Sequence, residues 1–129
     1  MSKDSFSLKN ETKKRIRAPI LKAIRNAVLP KKYRLSVVLI GKKISRKLNL
    51  TYRNINKATN VLSFPLSKEA GEIFLDLETI KSEEKKFGRN FNNLLHFLFI
   101  HALFHLKGYQ HGVTMEKREA TYMKKYKLS

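Results

Sequence analysis

The chain has 129 residues and a formal net charge of +18, from 28 Lys and Arg against 10 Asp and Glu, a length that suits one domain over residues 1–129 with a sheet-and-helix core. It has no cysteine, which excludes disulfides and thiolate metal sites, so a bound metal must rely on histidine, carboxylate or water. There is no apolar run of about 18 residues and no apolar signal-peptide core in MSKDSFSLKN, so no membrane span is expected and a cytoplasmic protein is.

The positive excess biases the surface toward a polyanion, with nucleic acid ahead of an anionic membrane surface. Solvated lysines that bind nothing are the plainer alternative, because lysine supplies most of the charge. In chain order, Ile16, Ile20, Ile24 and Val28 recur at four-residue steps and predict a helix, with Pro19 in its first turn and Pro30 closing it. Arg34–Ile40, rich in β-branched residues and bounded by Gly41, reads as a buried strand. Ile44, Leu48 and Tyr52 predict a short helix over Lys42–Tyr52, with Arg53 just past its end.

Arg53–Asn60 reads as a loop, and Val61–Phe64 as a second strand stopped by Pro65. Gly71 opens a third strand, in which Ile73, Leu75 and Leu77 alternate with Glu72, Phe74 and Asp76; Phe74 is the apolar residue on the polar side. Glu78–Phe87 is charged and helical in pattern, Phe91–Leu106 is an apolar helix, and Thr114–Lys127 is a closing amphipathic helix. The expected fold is therefore α+β, a small mixed β-sheet packed with about four to five helices, the histidine-bearing helix central.

His101, His105 and His111 follow the spacing H-x3-H-x2-G-x2-H. Residues four apart share one helix face, and Gly108 can take the left-handed conformation that ends a helix and turns His111 back toward it. Three imidazoles with an open fourth position most resemble a catalytic zinc set, whereas structural zinc usually has four protein ligands. Buried imidazoles without a shared partner would each leave nitrogens unsatisfied, at about 1–3 kcal/mol. His96 lies five residues before His101, off this register, and reads as a core or supporting residue. In zinc proteases with similar spacing a glutamate follows the first histidine as general base; here Ala102 holds that position, which argues against peptide hydrolysis.

Three segments carry a resemblance. His101–His111, HALFHLKGYQH, resembles the signature H-G-x-x-H-L-x-G-Y-D-H of the YbeY family of bacterial ribosomal-RNA maturation factors and endoribonucleases. Leu48–Pro65, LNLTYRNINKATNVLSFP, is similar to that family's L-N-x-x-Y-R block ending in V-L-S-F-P, and Gly71-Glu72-Ile73 to its G-D-I strand start. Ala102 departs from a usual glycine, Gln110, Asn56 and Glu72 from aspartates, and Ala58 from a proline. None of these removes a ligand, although Gln110 bears on a hydrogen bond beside His111 and so on activity. The amino end is short for the family, so its first strand is expected to be trimmed to Ser5–Leu8 or missing.

The resemblance implies a zinc-dependent endoribonuclease specific for single-stranded RNA. Its expected roles are maturation of the 3′ end of small-subunit ribosomal RNA and ribosome quality control, with the small subunit or assembly proteins as partners. It also implies a role for Arg53, the arginine of the Y-R pair, whose permanently charged guanidinium can hold a phosphate in bidentate fashion. A helix-end cation that complements the dipole is the plainer reading of Arg53. Zinc would activate water or polarise a phosphate oxygen, and Lys57 would position the RNA backbone. The alternative is a non-catalytic RNA-binding assembly factor with structural zinc, favoured by the lack of any apparent carboxylate base near the histidines.

Overall fold

The computed structural model describes residues 5–108 and 112–126. Four strands, β1 (Phe6–Asn10), β2 (Arg34–Ile40), β3 (Val61–Ser67) and β4 (Ala70–Asp76), form one sheet in the order β1-β2-β4-β3. The first three in that order run parallel, and β3 lies antiparallel to β4 on the edge. The helices are α1 (Ala18–Val28), α2 (Lys42–Arg53), α3 (Leu77–Ser82), α4 (Glu84–Phe87), α5 (Phe91–Leu106) and α6 (Val113–Lys125). This is the expected α+β class with a mixed sheet and a central α5. Among the described residues the count is six because the predicted Glu78–Phe87 helix breaks at Glu83 into two short pieces.

Strand alternation sorts the sheet into two unlike faces. Leu35, Val37 and Leu39 of β2 sit beside Gly71, Ile73 and Leu75 of β4, and this inner face packs against Leu21, Ile24 and Val28 of α1 and the aliphatic and aromatic residues of α5. α5 is apolar nearly all round, as a helix must be when neighbours cover most of its sides. Asn90 caps its first turn by accepting from the Asn93 N–H at 2.8 Å. α6 lies over α5, and the hydroxyls of Tyr122 and Tyr126 donate to the carbonyls of Ala27 and Ala23 on α1, each at 3.3 Å.

The outer face is held by polar contacts. α2 buries Ser45 and Asn49 and leaves Ile44 and Tyr52 exposed. The reason is Asp76 at the end of β4: its carboxylate accepts from Ser45 Oγ and Thr79 Oγ1, each at 2.5 Å, and from Thr79 N–H at 2.9 Å, capping α3 while fastening α2 to the sheet.

Several boundaries differ from expectation; Leu77, expected to close the third strand, instead starts α3 behind the Asp76 cap. β1 is present and runs Phe6–Asn10, because parallel pairing with β2 uses the backbone of the polar Lys9 and Asn10. β3 does not stop at Pro65 but continues to Ser67; an edge strand tolerates a residue without an N–H, and the register shifts between Pro65 and Ser67. Arg53 is the last residue of α2 rather than the first beyond it, and Asn54 ends the helix at φ 59°. Among the described residues, no helix is long and apolar enough to cross a membrane.

Candidate metal centre and its flanking cations

His101 and His105 lie one turn apart on α5, both half-buried, with their ring centroids 4.5 Å apart and their planes nearly perpendicular. Their Nε2 atoms face each other at 3.0 Å. On the far side of the His101 ring, Nδ1–H donates to the carboxylate of Glu119, which is 5% exposed on α6. That bond selects the tautomer: with the proton on Nδ1, the neutral ring presents the Nε2 lone pair toward His105. Two imidazole nitrogens bound to one tetrahedral zinc, each at 2.0–2.1 Å, would lie about 3.3 Å apart, so the pair has the spacing a shared cation requires.

The third predicted ligand, His111, and the substituted Gln110 lie outside the described residues. Among the described residues, no group of three or more His, Cys, Asp or Glu is gathered for a metal. Gly108 has φ +95°, the left-handed turn expected at this point, and its N–H donates to the His105 carbonyl at 2.9 Å as the helix ends. Ala102 is 2% exposed and belongs to the core. His96 is likewise buried; its Nδ1–H donates to the Asn92 carbonyl at 2.7 Å, and burial holds its pKa below the ordinary histidine value.

Glu119 was not singled out from the sequence, where no carboxylate stands near the histidines in the chain. It reaches His101 from eighteen residues away because α6 turns the stripe Met115, Glu119, Met123 onto α5. An acid between two methionines at four-residue steps is itself a signal, since a carboxylate at a core position needs a partner.

Gly71 brings the histidine end of α5 close to the sheet. A Cβ there would sit 2.4 Å from Tyr33 Oη and 3.0 Å from both terminal methyls of Leu106, the residue after His105. The neighbouring pair, Phe64 opposite Glu72, belongs to the outer face, where the Tyr52 ring meets Phe64 with centroids 5.3 Å apart. Tyr52 near the end of α2 and Leu106 at the end of α5 thus meet neighbouring rungs of the β3–β4 pair, Phe64 opposite Glu72 and Gly71 opposite Pro65.

The loop after Arg53 is tied back to α2. Asn49 Nδ2 donates to the Lys57 carbonyl at 2.8 Å, the Ile55 N–H to the Asn49 carbonyl at 3.2 Å, and Arg46 Nε to Asn56 Oδ1 at 2.8 Å. Asn56 therefore supplies the acceptor for which the sequence motif commonly uses aspartate. Arg53 and Lys57 are both exposed. The structure brings His101 and His105 together with Glu119, and places Arg53 in the last turn of α2 and Lys57 in the loop that follows it.

A cavity of about 650 Å³ lies at the other end of the sheet. It is lined by Lys13, Lys14, Lys42 and Lys81 together with Glu11 and Glu78. Glu78 already accepts from the Lys42 N–H at 3.0 Å and so occupies the start of α2.

Comparison with known proteins agrees with this fold. The solution structure of TM1509 from Thermotoga maritima superposes with a TM-score of 0.68 at 23% identity, covering 91% of this chain and 85% of that one, so the fold is shared. The chain is 31% identical to the Endoribonuclease YbeY of Clostridium botulinum strain Kyoto, covering 97% of this chain and 94% of the relative. It is 32% identical to that of Sulfurimonas denitrificans, covering 92% and 89%. It is 34% identical to that of Aliarcobacter butzleri, covering 95% and 93%. The family model described as Endoribonuclease YbeY matches residues 1–128, nearly the whole length, and the chain accordingly belongs to the YbeY family.

Proposed function

We propose that this protein is a metal-dependent endoribonuclease specific for single-stranded RNA, acting in the cytoplasm on the 3′ end of small-subunit ribosomal RNA and in ribosome quality control. The observation that carries the reading is the pair of Nε2 atoms at 3.0 Å, with His101 oriented from behind by Glu119. Family membership and the net charge of +18 supply the RNA.

His101, His105 and His111 are the proposed ligands of one Zn2+. When bound, zinc supplies Lewis acidity toward water or a phosphoryl oxygen. Glu119 keeps the His101 ring in one tautomer and orientation. Arg53, permanently charged, holds the phosphodiester and offsets the charge that develops on it during cleavage, and Lys57 positions the backbone without reading bases. The small ribosomal subunit or its assembly proteins are the proposed partners.

The test is Arg53→Ala, assayed for cleavage of a single-stranded RNA together with metal content. Loss of a charge-stabilising donor costs on the order of a hundred-fold in rate, and the metal content should stay that of the parent. Unchanged cleavage with intact metal would remove Arg53 from the chemistry.

One observation favours a second reading, an RNA-binding assembly factor with structural metal: the carboxylate that reaches the pair is committed to His101 Nδ1 and is not offered to water. Under that reading chelation melts the fold instead of silencing an enzyme.

A further inference from the structure

α2 carries an apolar stripe that the core does not use. Ile44 is 43% exposed and Tyr52 65%, and beyond the helix Ile55 is also exposed, while the buried side of α2 is polar. Burial alone gives little reason for Tyr52 to be aromatic, since most of the residue stays in water.

The ring is nevertheless held in place. Its inner side lies against Phe64, tilted by 58° at 5.3 Å, and Phe64 is braced edge-on by Phe74, at 72° and 5.9 Å. These three residues form a ladder from the outer face of the sheet to solvent, with one face of Tyr52 left open at the top. Phe74, the apolar residue on the polar side of its strand, is the base of this ladder. An aromatic whose orientation is already fixed loses little freedom when a flat ligand stacks on it.

Charge identifies that ligand. From Lys42 to Asn60 the chain has six Lys or Arg and no Asp or Glu. Arg53 follows Tyr52 directly in the last turn of α2, and the loop holding Lys57 is tied down by the hydrogen bonds from Asn49 and Arg46. An exposed aromatic beside cations carried on an anchored backbone matches a nucleotide, whose base has a π-face and whose phosphate is anionic.

We propose that Tyr52 is a stacking platform for an unpaired base of the RNA whose phosphate Arg53 holds. This rests on the RNA reading given above and adds to it a physical origin for single-strand preference. A base inside a duplex is already stacked on its neighbours and cannot lie on the Tyr52 ring, whereas an unpaired base can.

The chain contains no tryptophan, so Tyr52→Trp places a single fluorescent reporter at the platform. The probes are a mixed-sequence RNA hexamer, the same sequence as a duplex, and an abasic ribose-phosphate hexamer, with binding of each followed separately by anisotropy of an end label. The hexamer should quench the tryptophan, and the abasic strand and duplex should bind with little quenching. Tyr52→Ala should weaken binding of the hexamer roughly ten-fold, within the range for loss of one stacked base, and leave binding of the abasic strand unchanged. Tyr52→Phe should bind as the parent does. If the hexamer binds by anisotropy while the tryptophan is unmoved and Tyr52→Ala binds normally, the platform is wrong and the patch is left to a protein partner. If no RNA binds at all, the RNA reading itself fails and takes the platform with it.

Discussion

The two faces of the sheet solve different problems. The inner face, under α1 and α5, is closed by Leu35, Val37, Leu39, Ile73 and Leu75 against aliphatic and aromatic partners, and it holds the histidine-bearing helix in one position. The outer face buries Ile40 and Leu62, is joined to α2 through Ser45 and Asp76, and leaves Ile44 and Tyr52 of that helix in solvent. Burial on one face supplies stability and rigidity. Hydrogen bonds on the other fix the direction of α2 while leaving its end free to meet a ligand.

The largest effect expected from breaking this contrast is on the inner face. Phe99 is fully buried on α5, and Phe99→Ala should cost about 3–5 kcal/mol, read as a fall in the denaturant midpoint. On the outer face, Asp76→Ala strands the hydroxyls of Ser45 and Thr79 and uncaps α3. It should cost about 2–3 kcal/mol in the same measurement. A cost for Asp76→Ala below about 0.5 kcal/mol would mean that apolar contact, not the polar network, holds α2.

The smallest expected effect concerns His96, a polar exception in the inner layer. Burial lowers its folded pKa, so the unfolded chain takes up the proton first as pH falls. The stability contributed by the neutral ring is complete above the ordinary histidine value of about 6.5 and is lost as pH drops from there through the lowered folded value. The slope is at most about 1.4 kcal/mol per pH unit. His96→Leu removes the titrating ring, so unfolding measured from pH 8 to 5 should show the parent losing stability relative to this variant below pH 6.5. Parallel pH profiles would show that His96 does not contribute in this way.

The contrast between the faces also explains what could be read from the sequence. β2 and α5 match their predicted limits, Arg34–Ile40 and Phe91–Leu106, because each is an apolar run ended by Gly41 or capped by Asn90 and the inner face buries such runs whole. The outer face hid more. The Ile44, Leu48, Tyr52 spacing predicts a helix there, and α2 is one, but its buried side is chosen by hydrogen-bonding partners distant in sequence, which hydrophobic periodicity does not register. Pro65 reads as a stop only when the strand's place at the sheet edge is unknown. At the candidate site the histidine pair was legible because both residues share one helix turn. Glu119 was not, because its pairing with His101 depends on how α6 packs across α5.

In the proposed function the histidine centre serves RNA cleavage on a scaffold that stands without it. The most direct measurement follows cleavage of a labelled single-stranded RNA by the purified protein before and after chelation, with circular dichroism recorded on the same samples. Chelation should abolish cleavage while the helical signal and its melting transition persist, and added zinc should restore activity. Cleavage that continues in the fully metal-free protein, or a fold that melts as the metal leaves, would contradict that reading.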